Sequence, residues 1–145
     1  MKRTEIREAV FMLLFLSEFY DRELLPEQVD LYISGLMDGR LAEVQPARPK
    51  EEEASYIRKR LEQVLLHQPE IDALLDETSE GWRTGRMGRV DLNLLRLAVF
   101  EIRFDEEIPT GVAINEAVEI AKKYGGDHSA SFVNGILGKI ARMEP

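Results

Sequence analysis

The segment Val90–Phe104 constrains the fold more than any other part of the chain. Leu92, Leu94, Leu95, Leu97, Ala98, Val99, Phe100 and Ile102 place apolar side chains around nearly the whole circumference of a helix. A helix that is apolar all round needs neighbours on most of its sides. This one is therefore expected to be a central strut with other helices packed about it. At 145 residues the chain is long enough for one domain with a core of its own.

Glycines, prolines and charge runs divide the rest into about seven segments. Glu5 to Tyr20 carries Ile6, Val10, Phe11, Leu13, Leu14, Phe15 and Phe19 at helical spacing, which predicts a helix with a wide buried face. Pro26 suits the first turn of a second helix through Met37, which Gly39 ends. Leu41 to Lys50 holds two prolines and reads as a loop, the least ordered part of the chain. Glu51 to Leu66 predicts a third helix, its three leading glutamates suited to the positive helix start. Pro69 is expected to open a short fourth helix through about Glu77, and Trp82 to anchor a connection running to Arg89. After the strut, Thr110 or Gly111 begins a helix that Gly125 and Gly126 end. Asp127 or Ser129 is expected to cap the last, which runs to about Arg142. Strand-type alternation is absent, so the expected class is all-α.

Several function classes are excluded by composition. With no cysteine, thiol catalysis, disulfides and thiolate metal sites are ruled out. His67 and His128 form no metal-spacing pair, and no cofactor is expected. No signal peptide opens the chain, and its longest apolar run, Ala9–Leu16, is too short to span a bilayer. A cytoplasmic location with no membrane partner is the expectation. A net charge of −8 argues against a general nucleic-acid binder. It suits an acidic surface meeting a basic partner, with RNA contact confined to a local patch. Lys2, Arg3 and Arg7 cluster at one end, and Arg83, Arg86 and Arg89 fall in a stretch without an acid. Taken alone, both clusters read as solvated surface.

No constellation of an enzyme is present, and no catalytic residue is assigned. There is no phosphate-cradling loop after a strand and no nucleophile elbow. His128 and Ser129 are adjacent, and neighbours diverge by about 100° on a helix, so they cannot share a proton directly. Glu51–Glu53 and Asp105–Glu107 sit at helix ends or in loops, where solvation and dipole compensation account for them. Arg96, among Leu94, Leu95 and Leu97, is expected to be buried and therefore paired. Glu116 and Glu101 are the candidates. Glu116 is preferred, because it lies on another helix and would lock two helices together. Phe132 falls at the edge of the Val133–Ile136–Leu137–Ile140 stripe; it reads either as a core aromatic or as a platform for an unpaired base. Asn115, Asn134 and Gly135 lie inside helical pattern although both residue types are poor helix formers, so packing or binding must account for them.

The motifs, taken in order, resemble the NusB family of transcription antitermination factors. The resemblance covers Lys2, Arg3 and Arg7, the Trp82–Arg89 segment, and Asp91-x-x-x-Leu95-Arg96-x-Ala98-x-Phe100-Glu101. It continues through Pro109-x-x-Val112-Ala113-Ile114-Asn115-Glu116-Ala117 and Ser129-x-x-Phe132-Val133-Asn134-Gly135. It implies two packed helical subdomains, about 1–78 and 79–145, within one domain. It also implies an RNA-binding role in transcription of ribosomal RNA operons. Such proteins bind single-stranded boxA-type RNA as a heterodimer with ribosomal protein NusE, and act on the RNA polymerase elongation complex indirectly. Carried over by motif, Lys2, Arg3 and Arg7 would meet phosphates, Phe132 and the Ser129 corner would lie near bases, and Asp91, flanked by Phe15, would meet NusE. The basic start is thin here, with Glu5 inside it, and Gly111 stands where relatives often carry a basic residue. Weak RNA binding alone and tighter binding with NusE are expected.

Two other readings go with the same resemblance. A related fold forms the N-terminal, RNA-recruiting domain of an rRNA cytosine methyltransferase, although this chain leaves no room for the catalytic domain. Some relatives are homodimers, and a first helix with Phe11, Phe15 and Phe19 offers an apolar surface for self-association.

Overall fold

A computed structural model of the chain describes residues 1–81 and 83–143. Trp82, the expected anchor of the connection before the strut, lies outside the described residues. Among these there are six α-helices and no strand: α1 (Arg3–Ser17), α2 (Leu25–Asp38), α3 (Glu51–Thr78), α4 (Arg89–Phe104), α5 (Thr110–Tyr124) and α6 (Ser129–Arg142). A three-residue 3-10 turn, Thr84–Arg86, precedes α4. No helix of the described residues is long and apolar enough to cross a membrane.

The chain forms two compact units, the first ending at Gln63 and the second starting at Val64. In the first, Ala9, Val10, Phe11, Leu13 and Leu14 of α1 are buried, as are Ile33 and Leu36 of α2 and Ile57 and Leu61 of α3. The backbone N–H of Lys2 donates to Glu5 Oε1 at 2.6 Å, satisfying one of the orphan donors at the start of α1. Gly39 ends α2 at φ +84°, a left-handed position where a side chain would be strained. The 41–50 loop follows. It is tied back by the backbone bond from Leu41 N–H to the Gly35 carbonyl and by a hydrogen bond from the Tyr32 hydroxyl to Gln45.

In the second unit α4 is the strut that its apolar circumference demands. Every residue from Leu92 to Glu101 is buried. Helix α4 packs on both α5 and α6, which also pack on each other. Helix α5 meets its neighbours with Ala113, Ala117 and Ala121, four residues apart and all buried, so its backbone comes close. Helix α6 contributes Val133, Ile136, Leu137 and Ile140.

The helices expected over 51–66 and 69–77 are one continuous helix with Pro69 inside it. An interior proline removes a backbone hydrogen bond and typically costs about 3 kcal/mol. The buried stripe of α3 explains why it is tolerated. Ile57, Leu61, Val64, Ile71, Leu75 and Thr78 keep helical phase across position 69, while Pro69 itself faces solvent. Burial of that stripe outweighs one lost bond.

Candidate RNA and partner interface

The basic residues of the first unit sit at the start of α1. Lys2 precedes the helix, while Arg3 and Arg7, four apart, share a face. Lys2 and Arg3 are exposed, and their side chains make no ion pair among the described residues; Arg7 is half-buried and already engaged within the chain. Close by, the N-terminal ammonium of Met1 donates to Glu53 Oε2 at 2.7 Å, and Lys50 N–H donates to Glu53 Oε1 at 2.8 Å. These bonds, the ammonium's first, hold the Glu53 carboxyl below its ordinary range.

Phe11 and Phe15 on α1 and Phe19 just past its end part company. Phe11 is 1% exposed and belongs to the core, so it is not available for self-association as the sequence suggested. Phe15 is half-buried and lies against Phe19 at 5.3 Å between ring centres, tilted by 52°. Phe19 is 63% exposed. The register explains the split: 11 and 15 follow the buried stripe, whereas 19 lies beyond the end of α1.

In the second unit Ser129 and Phe132 stand at the start of α6. Gly125 and Gly126 form the corner. A Cβ on Gly125 would fall 2.4 Å from the Ser129 Cβ and 2.7 Å from the Ala121 carbonyl oxygen, so only glycine fits there. Ser129 Oγ accepts from the Gly126 N–H at 3.0 Å, and the residue is 8% exposed. Neither Asp127 nor Ser129 caps α6; His128 holds the cap position, without a side-chain bond. Ser129 instead turns back and closes the corner, because its side chain is already inside the first helical turn. Phe132 is half-buried, one turn on. Asn134 and Gly135 are exposed, and a Cβ on Gly135 would meet nothing within 4 Å. No packing among the described residues calls for glycine at that point.

Asp91 lies in the first turn of α4, where the helix dipole favours a carboxylate. Its Oδ1 is buried and has no hydrogen-bond partner among the described residues. An acceptor left in that state costs about 1–3 kcal/mol until a donor reaches it.

Arg96 is 6% exposed and paired, as its surroundings require. Asp72 of α3, which was not among the candidates read from sequence, grips it. Nε donates to Asp72 Oδ1 at 2.9 Å and Nη2 to Oδ2 at 2.8 Å, a bidentate fork. Nη1 donates to Asn93 Oδ1 at 3.2 Å, and Asn93 Nδ2 donates to the Arg89 carbonyl at 2.9 Å. The pair therefore ties α3 to α4. Splitting α3 at Pro69 hid Asp72, which lies on the side of the same stripe as Ile71. Asn93, 0% exposed, is the polar residue that extends the network, and its place among leucines was its only signal.

Residues 4–142 match the NusB family. The transcription antitermination protein NusB of Agathobacter rectalis is 49% identical over 141 residues, covering 97% of this chain and all of that protein. Among solved structures, T. maritima NusB is 35% identical with a TM-score of 0.78, covering 99% of this chain and 93% of that one. A chain in the structure of antitermination factors NusB and NusE in complex with dsRNA is 24% identical. Its TM-score is 0.73 over 97% of this chain and 96% of that one, a likeness of fold.

Proposed function

The chain belongs to the NusB family, and from that premise we propose that it is an RNA-binding antitermination factor. In this reading it binds boxA-type RNA of nascent ribosomal RNA transcripts in the cytoplasm, as a heterodimer with ribosomal protein NusE, and catalyses nothing. Asp91 carries the partner half of the reading: a buried carboxylate oxygen without a donor is suited to a cationic or N–H group on a basic protein. Phe15 is assigned to the same partner, with its exposed neighbour Phe19 extending the apolar contact.

The RNA half rests on Lys2 and Arg3, exposed and unpaired among the described residues, with Arg7 beside them. Phe132 is the proposed base platform, and Ser129 holds the corner from which it projects. Exposed Asn134 and Gly135 support an RNA strand coming close to α6, since nothing among the described residues explains the glycine. Arg96 and Asp72 serve the scaffold.

Fluorescence anisotropy of a labelled boxA-type RNA tests the reading, beside a scrambled RNA, with and without NusE. Selective binding that tightens with NusE is expected. Phe132→Ala should then weaken binding by about 1–3 kcal/mol if one base stacks there. Equal affinity for both RNAs in every condition would sink the proposal.

A further inference from the structure

The arginine cluster before α4 has no part in the contacts assigned so far. Arg83, Arg86 and Arg89 recur every third residue, with no acid between them, in a chain whose net charge is −8. The backbone there is built. Arg86 N–H donates to the Arg83 carbonyl at 2.8 Å, the i to i+3 bond of a 3-10 turn. Arg83 caps that turn in an extended conformation and Arg86 is its last residue, so both side chains leave the same fixed stretch of backbone. Three tethers hold the segment. Thr84 N–H donates to Asp76 Oδ1 at 2.6 Å, Met87 is buried at 4% exposure, and the Arg89 carbonyl receives Asn93 Nδ2. A Cβ on Gly85 or Gly88 would meet nothing within 4 Å among the described residues. Arg83 and Arg86 are exposed and make no ion pair among the described residues.

We propose that Arg83 and Arg86, on this tethered turn, form a second RNA contact that takes successive phosphates of nucleotides flanking the boxA-type element. The inference rests on the RNA-binding function proposed above. Guanidinium forks pair bidentately with phosphate oxygens, and two of them at one-turn spacing match repeated charges along a strand. Such contacts carry no sequence information. They add affinity to whatever the bases select, on a protein whose overall charge repels RNA.

The test compares wild type with Arg83→Gln/Arg86→Gln in the presence of NusE. The probes are boxA-type RNA with nucleotides on both sides, the bare element, and a scrambled RNA of the longer length. Affinity is measured across a salt series. Both arginines are exposed, and a thermal melt checks that the variant folds. For the longer RNA the slope of log affinity against log salt should become shallower by about 1.4, at about 0.7 per phosphate lost from a single strand. BoxA-type and scrambled RNA of the longer length should lose affinity by the same factor, and the bare element should lose little. An unchanged slope on the longer RNA overturns the second contact alone, since wild-type binding stands. An unchanged slope with weaker NusE binding also overturns it, and assigns the arginines to an acidic protein surface. A wild type that binds no RNA with NusE overturns the second contact together with the function on which it rests.

Discussion

Arg96 is a buried cation held by a two-pronged bond from α4 to Asp72 on α3. A charge among leucines had to be paired, and it is; which carboxylate would reach it depended on the distance between helices. Arg96→Ala leaves Asp72 beside the core without its cation and should cost about 3–5 kcal/mol in chemical denaturation. A double-mutant cycle with Asp72→Ala should give a coupling of about 0.5–3 kcal/mol. Additive losses would remove the pair as the lock between α3 and α4. Glu53 makes a second prediction at this scale. Its folded pKa lies below its ordinary value, so its contribution to stability is present above the ordinary carboxylate range. That contribution is lost as pH falls through the lowered folded value. Because the ammonium of Met1 is the leading cause, acetylating it should raise the Glu53 pKa in an NMR titration. An unchanged titration would show that the ammonium does not set it.

At the scale of elements, a glycine at the α5–α6 corner and one inside α6 behave in opposite ways. Gly125 is needed where it stands, with Ser129 and the Ala121 carbonyl inside the space of a Cβ. Gly125→Ala should destabilise the α5–α6 corner by about 1–3 kcal/mol, since overpacking must shift backbone. A Cβ on Gly135, in the interior of α6, meets nothing within 4 Å among the described residues. Gly135→Ala should stabilise α6 by about 0.5–1 kcal/mol, because alanine loses less backbone freedom in a helix interior. Thermal melts of the two variants should move in opposite directions; a loss at Gly135 would mean that α6 needs glycine for its own packing. The type of each element was legible in its periodicity, and α4 was legible as a strut because its apolar residues leave no solvated face. The length of α3 was not, because a proline reads locally as a boundary while the stripe that overrides it spans two dozen residues.

For the whole molecule, charge sets the terms of binding. A surface with a net charge of −8 attracts a basic protein and repels RNA except at local patches. RNA affinity should therefore rise when NusE is bound, since the partner brings cations that this chain lacks. Raising salt should weaken the NusE encounter by slowing association more than by speeding release. Stopped-flow traces in which only the release rate responds to salt would contradict charge steering. Once Phe11 is assigned to the core, exposed Phe19 and Leu24 are among the apolar side chains open to self-association. Light scattering after size exclusion would detect a dimer, and Phe19→Ser should dissolve one formed through that surface.

Local pattern alone determined that the chain is helical, where most helices begin and end, that α4 is buried, and that Arg96 needs a partner. Each of these follows from the spacing of apolar residues and from the cost of burying charge, and neither depends on distant parts of the chain. Tertiary structure decided which carboxylate holds Arg96, that α3 runs through Pro69, that Ser129 closes a corner instead of capping a helix, and which phenylalanine of the first helix is hidden. It also left Asp91 with a buried oxygen and Arg83 and Arg86 exposed on a tethered turn. These outcomes depend on the distances between elements, and several equally good local patterns are compatible with each; only packing chooses among them.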